Sequence, residues 1–539
     1  MIPRFNTLTE LLEYSFKEYP QKPAFTCAGY TLNFQQLEKH SKRFASYLIH
    51  HTDLVPGDRI AIQMPNILQF PVAVYGALFA GLIVVNVNPL YTPRELKHQL
   101  KDSGAKALVV LSNVASNVAS VIPQTDITTV IETNFADLHP APKRWLINYV
   151  VKHVKKLVPK YEFNNSISFR KALSRGNKAF EVQAKNADDV AVLQYTGGTT
   201  GVAKGAMLTH GNLCSNVWQM IKHMPEVFDA EREVWVACLP LYHIYAFNLH
   251  GLCSICAGAH NVLIPNPRDL HSLTQALLPH KITVFIGINT LLNALSRFEE
   301  FKQVDFSSLK ITTAGGMALT EDVGRIWKEV TGSNISEGYG LTETSPVVCG
   351  NPVAAIQMGT IGIPLPETEV KVVDDNGNTL PPGETGELLV RGPQIMKGYW
   401  QRPAETDNVL SNDGWLKTGD MAVIKDDGYL KIVDRKKDMI LVSGFNVYPN
   451  EVEDVVCTHP DIIEAAAVGV PDLESGEVVK LFVVTQNETL TEDDVYDFCK
   501  ERLTGYKRPK IIEFRDSLPK SNVGKILRKD LRDAPIVSD

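Results

Sequence analysis

A chain of 539 residues exceeds one ordinary hydrophobic core, so we expect two or more domains. Hydrophobic residues make up 44% of the chain and charged residues 21%, which is typical of a soluble globular protein. The formal net charge of −7 argues against a general nucleic-acid binder, which would need a basic excess.

The apolar runs are too short to predict a membrane span. The longest run, 70–85, has sixteen residues, and Gly76 and Gly81 interrupt it. A spanning helix needs about 20 such residues. We predict a buried helix that turns at Gly81 into a strand at 83–87. The eight cysteines lack the spacing of a disulfide framework, which is typical of a protein from a reducing cytoplasm.

The segment 143–160 combines basic charge with an apolar stripe. It carries six Lys or Arg residues and no Asp or Glu. One stripe of a helix would collect its apolar side chains, Trp145, Leu146, Tyr149, Val150, Val154 and Leu157. Two interpretations stay open: the stripe packs onto the protein, or the helix lies on an anionic membrane. The second interpretation would place the protein at the inner face of the cytoplasmic membrane.

The run at 195–205 reads YTGGTTGVAKG and follows an apolar run at 190–193 that predicts a buried strand. Glycines let the backbone approach a ligand closely, and successive amides with threonine hydroxyls form a concavity for anions. Lys204 is followed by glycine and not by the Ser or Thr of a Walker A loop. We therefore predict a phosphate-binding loop at a strand end, with a glycine-rich surface turn as the alternative.

Short β-rich runs alternate with helical patterns over the first four hundred residues. Examples of these runs are 59–64, 107–111, 234–239 and 282–286. The alternation predicts an α/β fold with mainly parallel sheets, in a large N-terminal domain of layered sheets and helices at 1–433. Between about 359 and 433, turn sequences such as the one at 375–377 predict the hairpins of a β-rich subdomain. Residues 434–539 are enough for a small α+β domain.

Five segments together resemble the motifs of the adenylate-forming enzymes, which include acyl-CoA synthetases, luciferases and adenylation domains. They are the loop at 195–205, YGLTETSP at 339–346, GWLKTGD at 414–420, DRKKDMI at 434–440 and PKSNVGKI at 519–526. The similarity extends from about Phe5 to about Arg532 and is greatest to the bacterial long-chain fatty acid–CoA ligases. Ala203 stands where the family usually has proline, which leaves the loop less stiff. The resemblance implies that the C-terminal domain is mobile about a hinge at 434–437.

The resemblance also assigns individual residues to the binding of ATP and magnesium. The phosphate loop contributes Thr196, Gly197, Gly198, Thr199, Thr200, Gly201 and Lys204. The adenine pocket contains Gly315, Gly316, Glu337, Gly338 and Tyr339, with Thr342 beside them. Asp420 is expected to accept hydrogen bonds from the ribose hydroxyls, assisted by Arg435. Glu343 and the Thr196 hydroxyl are the expected ligands of Mg²⁺, which prefers oxygen.

Further residues are expected to act on the acyl group. Lys525 would bring its ammonium group to the attacking carboxylate and the α-phosphate, as the central catalytic residue. Lys437 marks the hinge, about which the domain would turn to present the loop around Gly444 for thioester formation. His243 and Phe247 match the acyl-binding side, His243 as a candidate catalytic residue and Phe247 at the position of a bulky gate. For His243, a packed core histidine is the alternative.

The implied activity is ATP-dependent ligation of a fatty acid to CoA through an acyl-adenylate, with release of pyrophosphate and AMP. The stretch 234–264 contains no Asp or Glu to pair with the ammonium group of an amino acid, which favours a plain apolar acid. The alternatives are an enzyme that passes its adenylate to a carrier protein, a ligase for aromatic acids, and a regulatory protein that only senses ATP. The preferred chain length, and whether the chain forms a homodimer, are left open.

Overall fold

The computed structural model describes residues 2–183, 185–196, 203–228, 233–315, 321–472, 474–521 and 525–532. Two large, mainly parallel sheets with helices packed on them form most of the chain before residue 365. The predicted α/β fold of layered sheets and helices is therefore confirmed. One continuous hydrophobic core includes residues of both sheets and of the helices that cover them.

The first large sheet has nine strands. From one edge to the other they are Ile363–Pro364, Val347–Gly350, Ile335–Gly340, Ile311–Ala314, Val284–Gly287, Val234–Ala237, His260–Leu263, Pro23–Cys27 and Tyr30–Asn33. The six strands from Ile335–Gly340 to Pro23–Cys27 run parallel, and the strands at both ends are antiparallel. The parallel strands are buried almost throughout, as expected where helices cover both faces.

The second large sheet has seven strands. Their order is Ile167–Ser168, Thr129–Thr133, Ala105–Leu111, Arg59–Gln63, Ile83–Asn86, Val190–Thr196 and Lys204–Thr209. All neighbours are parallel except the last pair. The buried strand predicted at 190–193 is present and continues to Thr196. The helix predicted before Gly81 is also present, as Gln69–Phe79, and Gly81 has a φ of +73° at the turn into the next strand.

Helices surround the sheets and also follow them in the C-terminal region. The α-helices are Leu8–Glu18, Phe34–His51, Gln69–Phe79, Pro93–Ser103, Ala115–Val121, Lys143–Tyr149, Phe169–Arg175, His210–His223, Ile244–Asn248, Ser254–Cys256, Leu270–Leu277, Asn289–Ser296, Glu321–Thr331, Pro403–Val409, Pro449–Val456, Glu492–Arg502 and Arg528–Arg532. Several begin with a capping box, in which the first side chain and the side chain three residues later satisfy each other's backbone amides. Capping boxes start at Thr7, Asn33, Thr92, Thr209 and Thr491.

Two smaller sheets follow in the chain. Strands Glu369–Val373, Thr385–Arg391, Leu416–Ile424 and Leu430–Arg435 form an antiparallel sheet, which confirms the β-rich region. The last sheet contains Phe445–Val447, Ile440–Val442, Gly476–Thr485, Ile462–Asp472 and Ile511–Phe514. Its residues pack into hydrophobic clusters of their own. The domain boundary near residue 434 stays a prediction.

The basic segment at 143–160 forms a shorter helix than predicted. The α-helix Lys143–Tyr149 continues as the π-helix Val150–Val154, and the helix ends there because Lys156 adopts a φ of +52°. The apolar side chains are 52–64% exposed at Trp145, Leu146, Tyr149, Val154 and Leu157. The stripe therefore does not pack onto the described part of the protein. None of the helices in the described ranges has the length and apolar character needed to cross a bilayer.

Candidate active site

The predicted ribose ligand Asp420 lies at the centre of a hydrogen-bonded group. Its side chain, on strand Leu416–Ile424, is only 3% exposed. One carboxylate oxygen accepts a 2.5 Å hydrogen bond from the Tyr339 hydroxyl, and Arg435 Nε lies 2.8 Å from the other. Burial, reinforced by the Asp420 charge, raises the pKa of Tyr339 well above its usual value, so the hydroxyl remains a donor. Each carboxylate oxygen can still accept from a ribose hydroxyl.

Gly315 and Gly338 lie where two neighbouring strands come close together. Gly315 follows the strand that runs parallel to the strand of Gly338. A Cβ at Gly315 would lie 3.4 Å from the Gly338 carbonyl oxygen and 3.6 Å from the Tyr245 ring. The missing side chains leave this edge accessible to a flat base. Gly316, predicted in the same pocket, lies outside the described residues.

Two further predicted residues lie on either side of Tyr339. Glu337 is 8% exposed and accepts a hydrogen bond from the Gly359 amide at 3.2 Å. Thr342 begins the short 3₁₀ turn Thr342–Thr344. This turn packs against both strands that flank the phosphate loop. The adenine motif and the loop are therefore neighbours in the fold.

The ends of the predicted phosphate loop are held together by antiparallel pairing. Thr196 ends one strand and pairs with Lys204, which begins the next. The Lys204 ammonium makes an ion pair with Glu405 and lies 5.1 Å from the centre of the Tyr399 ring. The predicted loop residues between these ends, Gly197, Gly198, Thr199, Thr200 and Gly201, lie outside the described residues.

Glu343, the expected magnesium ligand, lies in the 3₁₀ turn beside the loop. Its Oε1 accepts a 2.7 Å hydrogen bond from the Tyr399 hydroxyl, and its carbonyl oxygen accepts from the Met396 amide at 2.8 Å. Within the described ranges Oε2 has no hydrogen-bond partner, so it fits a metal ligand. Those ranges contain no group of three His, Cys, Asp or Glu residues that could hold a metal. Magnesium would therefore depend on phosphate oxygens and water besides Glu343 and the Thr196 hydroxyl.

Lys525 lies among the charged residues around Asp420, although it is about a hundred residues later in the sequence. Its turn is closed by pairing of Lys520 with Ile526 and by a 2.7 Å bond from the Ser521 amide to the Lys525 carbonyl. Burial lowers the pKa of Lys525 to about 8, and the Arg435 charge adds to this, whereas Asp420 opposes it. The structure therefore joins the terminal lysine motif to the ribose motif.

Lys437 and Gly444 occupy the segment between these motifs. Lys437 lies in the 3₁₀ turn Lys436–Asp438, and burial lowers the pKa of its ammonium. Gly444 follows Ser443 in a two-residue hairpin turn, with φ values of +84° and +50°. No described atom lies within 4 Å of the position that a Cβ of Gly444 would take. The turn is therefore open to a ligand or to another surface.

The two predicted acyl-side residues belong to the short helix Ile244–Asn248 and its N-cap. His243 is its N-cap and accepts from the Tyr245 amide at 3.4 Å through Nδ1. Burial lowers the pKa of His243 to about 4, so the ring is neutral near pH 7. Phe247 is 1% exposed and belongs to the main hydrophobic core.

Two tyrosines outside the predicted set complete the arrangement. Tyr399 links Glu343 to Lys204. Gly398, directly before it, has a φ of +139°, so this glycine is the sequence feature that could have marked the position. The Tyr245 hydroxyl lies 3.2 Å from Thr313 Oγ1, in the strand that leads to Gly315. Tyr245 therefore connects the helix of the predicted acyl-side residues to the predicted adenine pocket.

Matches to known protein families define the class of this protein. Residues 12–400 match the AMP-binding enzyme family, and residues 451–525 match the C-terminal domain of AMP-binding enzymes. The chain belongs to the AMP-binding enzyme family.

Within this class, the chain is similar over almost its whole length to named ligases. It is 52% identical to the long-chain-fatty-acid–CoA ligase of Escherichia coli O6:H1, over 98% of this chain and 95% of that protein. It is 37% identical to the long-chain-fatty-acid–CoA ligase of Bacillus subtilis, over 97% and 94%. Among solved structures, ATP-bound MatB from Rhodopseudomonas palustris matches with a TM-score of 0.83 and 28% identity, over 97% of this chain and 98% of that chain.

Proposed function

We propose that this protein is a long-chain fatty acid–CoA ligase, which activates a fatty acid with ATP and transfers the acyl group to CoA. The observation that carries the proposal is the position of Lys525 among Asp420, Arg435 and Lys437, in a chain with 52% identity to such a ligase. A cation beside a ribose-binding carboxylate is suited to chemistry at the α-phosphate of ATP.

In the first half-reaction, a carboxylate oxygen of the fatty acid attacks the α-phosphorus of ATP. The bond from this phosphorus to the bridging oxygen breaks, and pyrophosphate leaves with the electron pair. Asp420 holds the ribose, and Lys525 places positive charge where negative charge develops. One well-placed group of this kind contributes about 3–4 kcal/mol to transition-state stabilisation. Magnesium bound at Glu343 would neutralise charge on the phosphates.

In the second half-reaction, the sulfur of CoA attacks the acyl carbon of the adenylate. The bond from that carbon to the AMP oxygen breaks, AMP leaves, and the thiol proton is released. We propose that the C-terminal domain, beyond the hinge at 434–437, turns about Lys437 between the two steps and presents the open turn at Gly444. Motions of this kind allow one site to serve two reactions in succession.

The acyl side favours an apolar acid. No Asp or Glu occurs between residues 234 and 264, and His243 is neutral near pH 7. An amino-acid substrate would bring an ammonium group that needs a carboxylate partner. A long-chain fatty acid brings only its carboxylate, which the nucleotide reaction consumes.

Pyrophosphate release tests the proposed function. Wild-type protein with ATP and magnesium should release pyrophosphate only when a fatty acid is added, and should form the CoA thioester only when CoA is added as well. Lys525→Ala should abolish most of this release. Preference for aromatic acids, adenylate without thioester, or phosphate release without any acid would each contradict the proposal in favour of one of its rivals.

We also propose that the exposed helix, Lys143–Tyr149 with Val150–Val154, contacts anionic membranes. Its polar contacts turn the apolar stripe outward: Asn148 accepts from the Ala136 amide at 2.9 Å, and the Lys143 ammonium donates to the Gly29 carbonyl at 3.0 Å. Aromatic and aliphatic side chains beside lysines are typical of helices that lie in a membrane interface. A fatty acid also partitions into membranes, so such contact would bring the enzyme to its substrate.

A second copy of the chain is the alternative partner for the same apolar side chains. A homodimer through this helix would be concentration-dependent and would form without lipid. Light scattering of the protein alone therefore distinguishes this alternative from membrane contact.

A further inference from the structure

A buried cluster of charges surrounds Arg528, outside the nucleotide site. The Arg528 side chain is 11% exposed, and its Nη2 lies 2.8 Å from Glu453 Oε2 and 2.6 Å from Asn450 Oδ1. Its Nη1 lies 3.8 Å from Asp438 Oδ2 and 4.0 Å from Asp434 Oδ1. One guanidinium group therefore contacts helix Pro449–Val456 and the hinge segment at 434–438 together.

The hinge segment connects this cluster to the ribose site. Asp434 and Arg435 are successive residues of strand Leu430–Arg435, and their side chains point to opposite sides. Arg435 reaches Asp420, whereas Asp434 is fully buried on the other side and accepts from the Asn450 amide at 2.7 Å. A shift of the hinge segment would therefore disturb both sets of contacts.

Arg528 is also connected to Lys525, three residues before it. The Leu527 amide donates to the Pro519 carbonyl at 2.8 Å, which closes the base of the turn that carries Lys525. Helix Arg528–Arg532 begins directly after this turn, and Arg532 adds a 2.8 Å ion pair to Asp438. The place of Arg528 thus fixes where the turn of Lys525 can lie.

We propose that Arg528 is a positioning residue for adenylation: through its ion pair with Asp434, on the other side of Lys437, it holds the turn of Lys525 against the nucleotide site. The inference rests on the proposed function. Glu453 and Arg528 both follow the hinge, so their contact persists when the domain turns about Lys437. Asp434 precedes Lys437, so its contact with Arg528 belongs to the orientation seen here.

The two half-reactions measured separately test this role. Asp434→Asn keeps the shape of the side chain and removes the charge that faces Arg528. We expect it to lower the rate of fatty-acid-dependent exchange between pyrophosphate and ATP by about tenfold or more, because small displacements of a catalytic group are costly. The KM for ATP and the rate of thioester formation from supplied acyl-adenylate should not change. Arg528→Lys keeps the positive charge but loses the paired N–H donors of the guanidinium group. It should also slow adenylation and leave thioester formation unchanged.

Arg515→Gln is the matched control within the same region. Arg515 forms a 2.5 Å ion pair with Glu513 and lies 5.1 Å from the centre of the Phe482 ring, without contact to the hinge segment. It should leave both half-reactions intact. If Asp434→Asn slows both half-reactions equally and lowers the thermal midpoint, the cluster has only a structural role. If Asp434→Asn slows neither half-reaction, the proposal is overturned. A wild-type protein that forms no acyl-adenylate would instead refute the proposed function.

Discussion

At the residue scale, the Tyr339 hydroxyl fixes a buried carboxylate, and its removal should weaken ATP binding. Tyr339→Phe keeps the ring but leaves one Asp420 oxygen without its donor, at a cost of about 1–3 kcal/mol. We expect a rise in the KM for ATP of about tenfold with an unchanged KM for CoA. Tyr429→Phe is the control, because this buried hydroxyl donates to the Ala355 carbonyl at 2.6 Å. Equal effects of both variants on KM would argue against the assigned role.

A second residue-scale prediction concerns the pH dependence of adenylation. Burial lowers the pKa of Lys525 to about 8, and lysine carries its charge only below its pKa. The value of kcat/KM for ATP should therefore fall as the pH rises through about 8, because this ratio reports the free enzyme. Lys525→Arg keeps a cation at higher pH, so its residual activity should lack this decline. A wild-type profile that stays level well above pH 8 would contradict the assignment.

At the scale of elements, the exposed helix should determine binding to anionic vesicles. Replacing Lys152, Lys155 and Lys156 by glutamate removes attraction of about 1 kcal/mol for each lysine near the surface. We expect binding to phosphatidylglycerol vesicles to weaken by about a hundredfold or more in a sedimentation assay, while pyrophosphate release with dispersed fatty acid is unchanged.

The control for this prediction carries the same change of charge elsewhere. Lys281, Lys328 and Lys500 are exposed and lie far from the helix in the sequence. Their joint replacement by glutamate should reduce vesicle binding much less. If both triple variants lose binding equally, net charge and not the helix is responsible.

The sequence predicted helices, strands and turns better than it predicted contacts between residues far apart in the chain. The strand at 190–193 and the turn at Gly81 followed from local apolar patterns, and the structure contains both. The helix at 143–160 was predicted too long, because a periodic pattern does not report the positive φ of Lys156. The bond between Tyr399 and Glu343 joins residues far apart in the chain, and no local pattern reveals such a contact.

At the scale of the whole molecule, the site draws on all four sheets, and Thr196 and Lys204 come from the seven-stranded one. Gly315 and Gly338 come from the nine-stranded sheet, Asp420 from the four-stranded sheet, and Lys525 from the region of the last sheet. Adenylation therefore depends on how these parts are placed relative to one another. Thioester formation, in the proposed mechanism, depends on a different placement that brings Gly444 inward.

Gly444→Val tests this second placement. With a φ of +84°, a branched side chain strains the turn, and it also fills the open space around Gly444. Gly428→Val is the matched control, because Gly428 is also a turn glycine: its φ is +83° and no described atom lies within 4 Å of its Cβ position. Both variants should lower the thermal midpoint similarly and leave exchange between pyrophosphate and ATP intact. Only Gly444→Val should slow thioester formation from supplied acyl-adenylate, by about tenfold or more, because it obstructs the turn that meets the adenylate in the second step. Equal thioester rates in the two variants would show that Gly444 does not approach the acyl group.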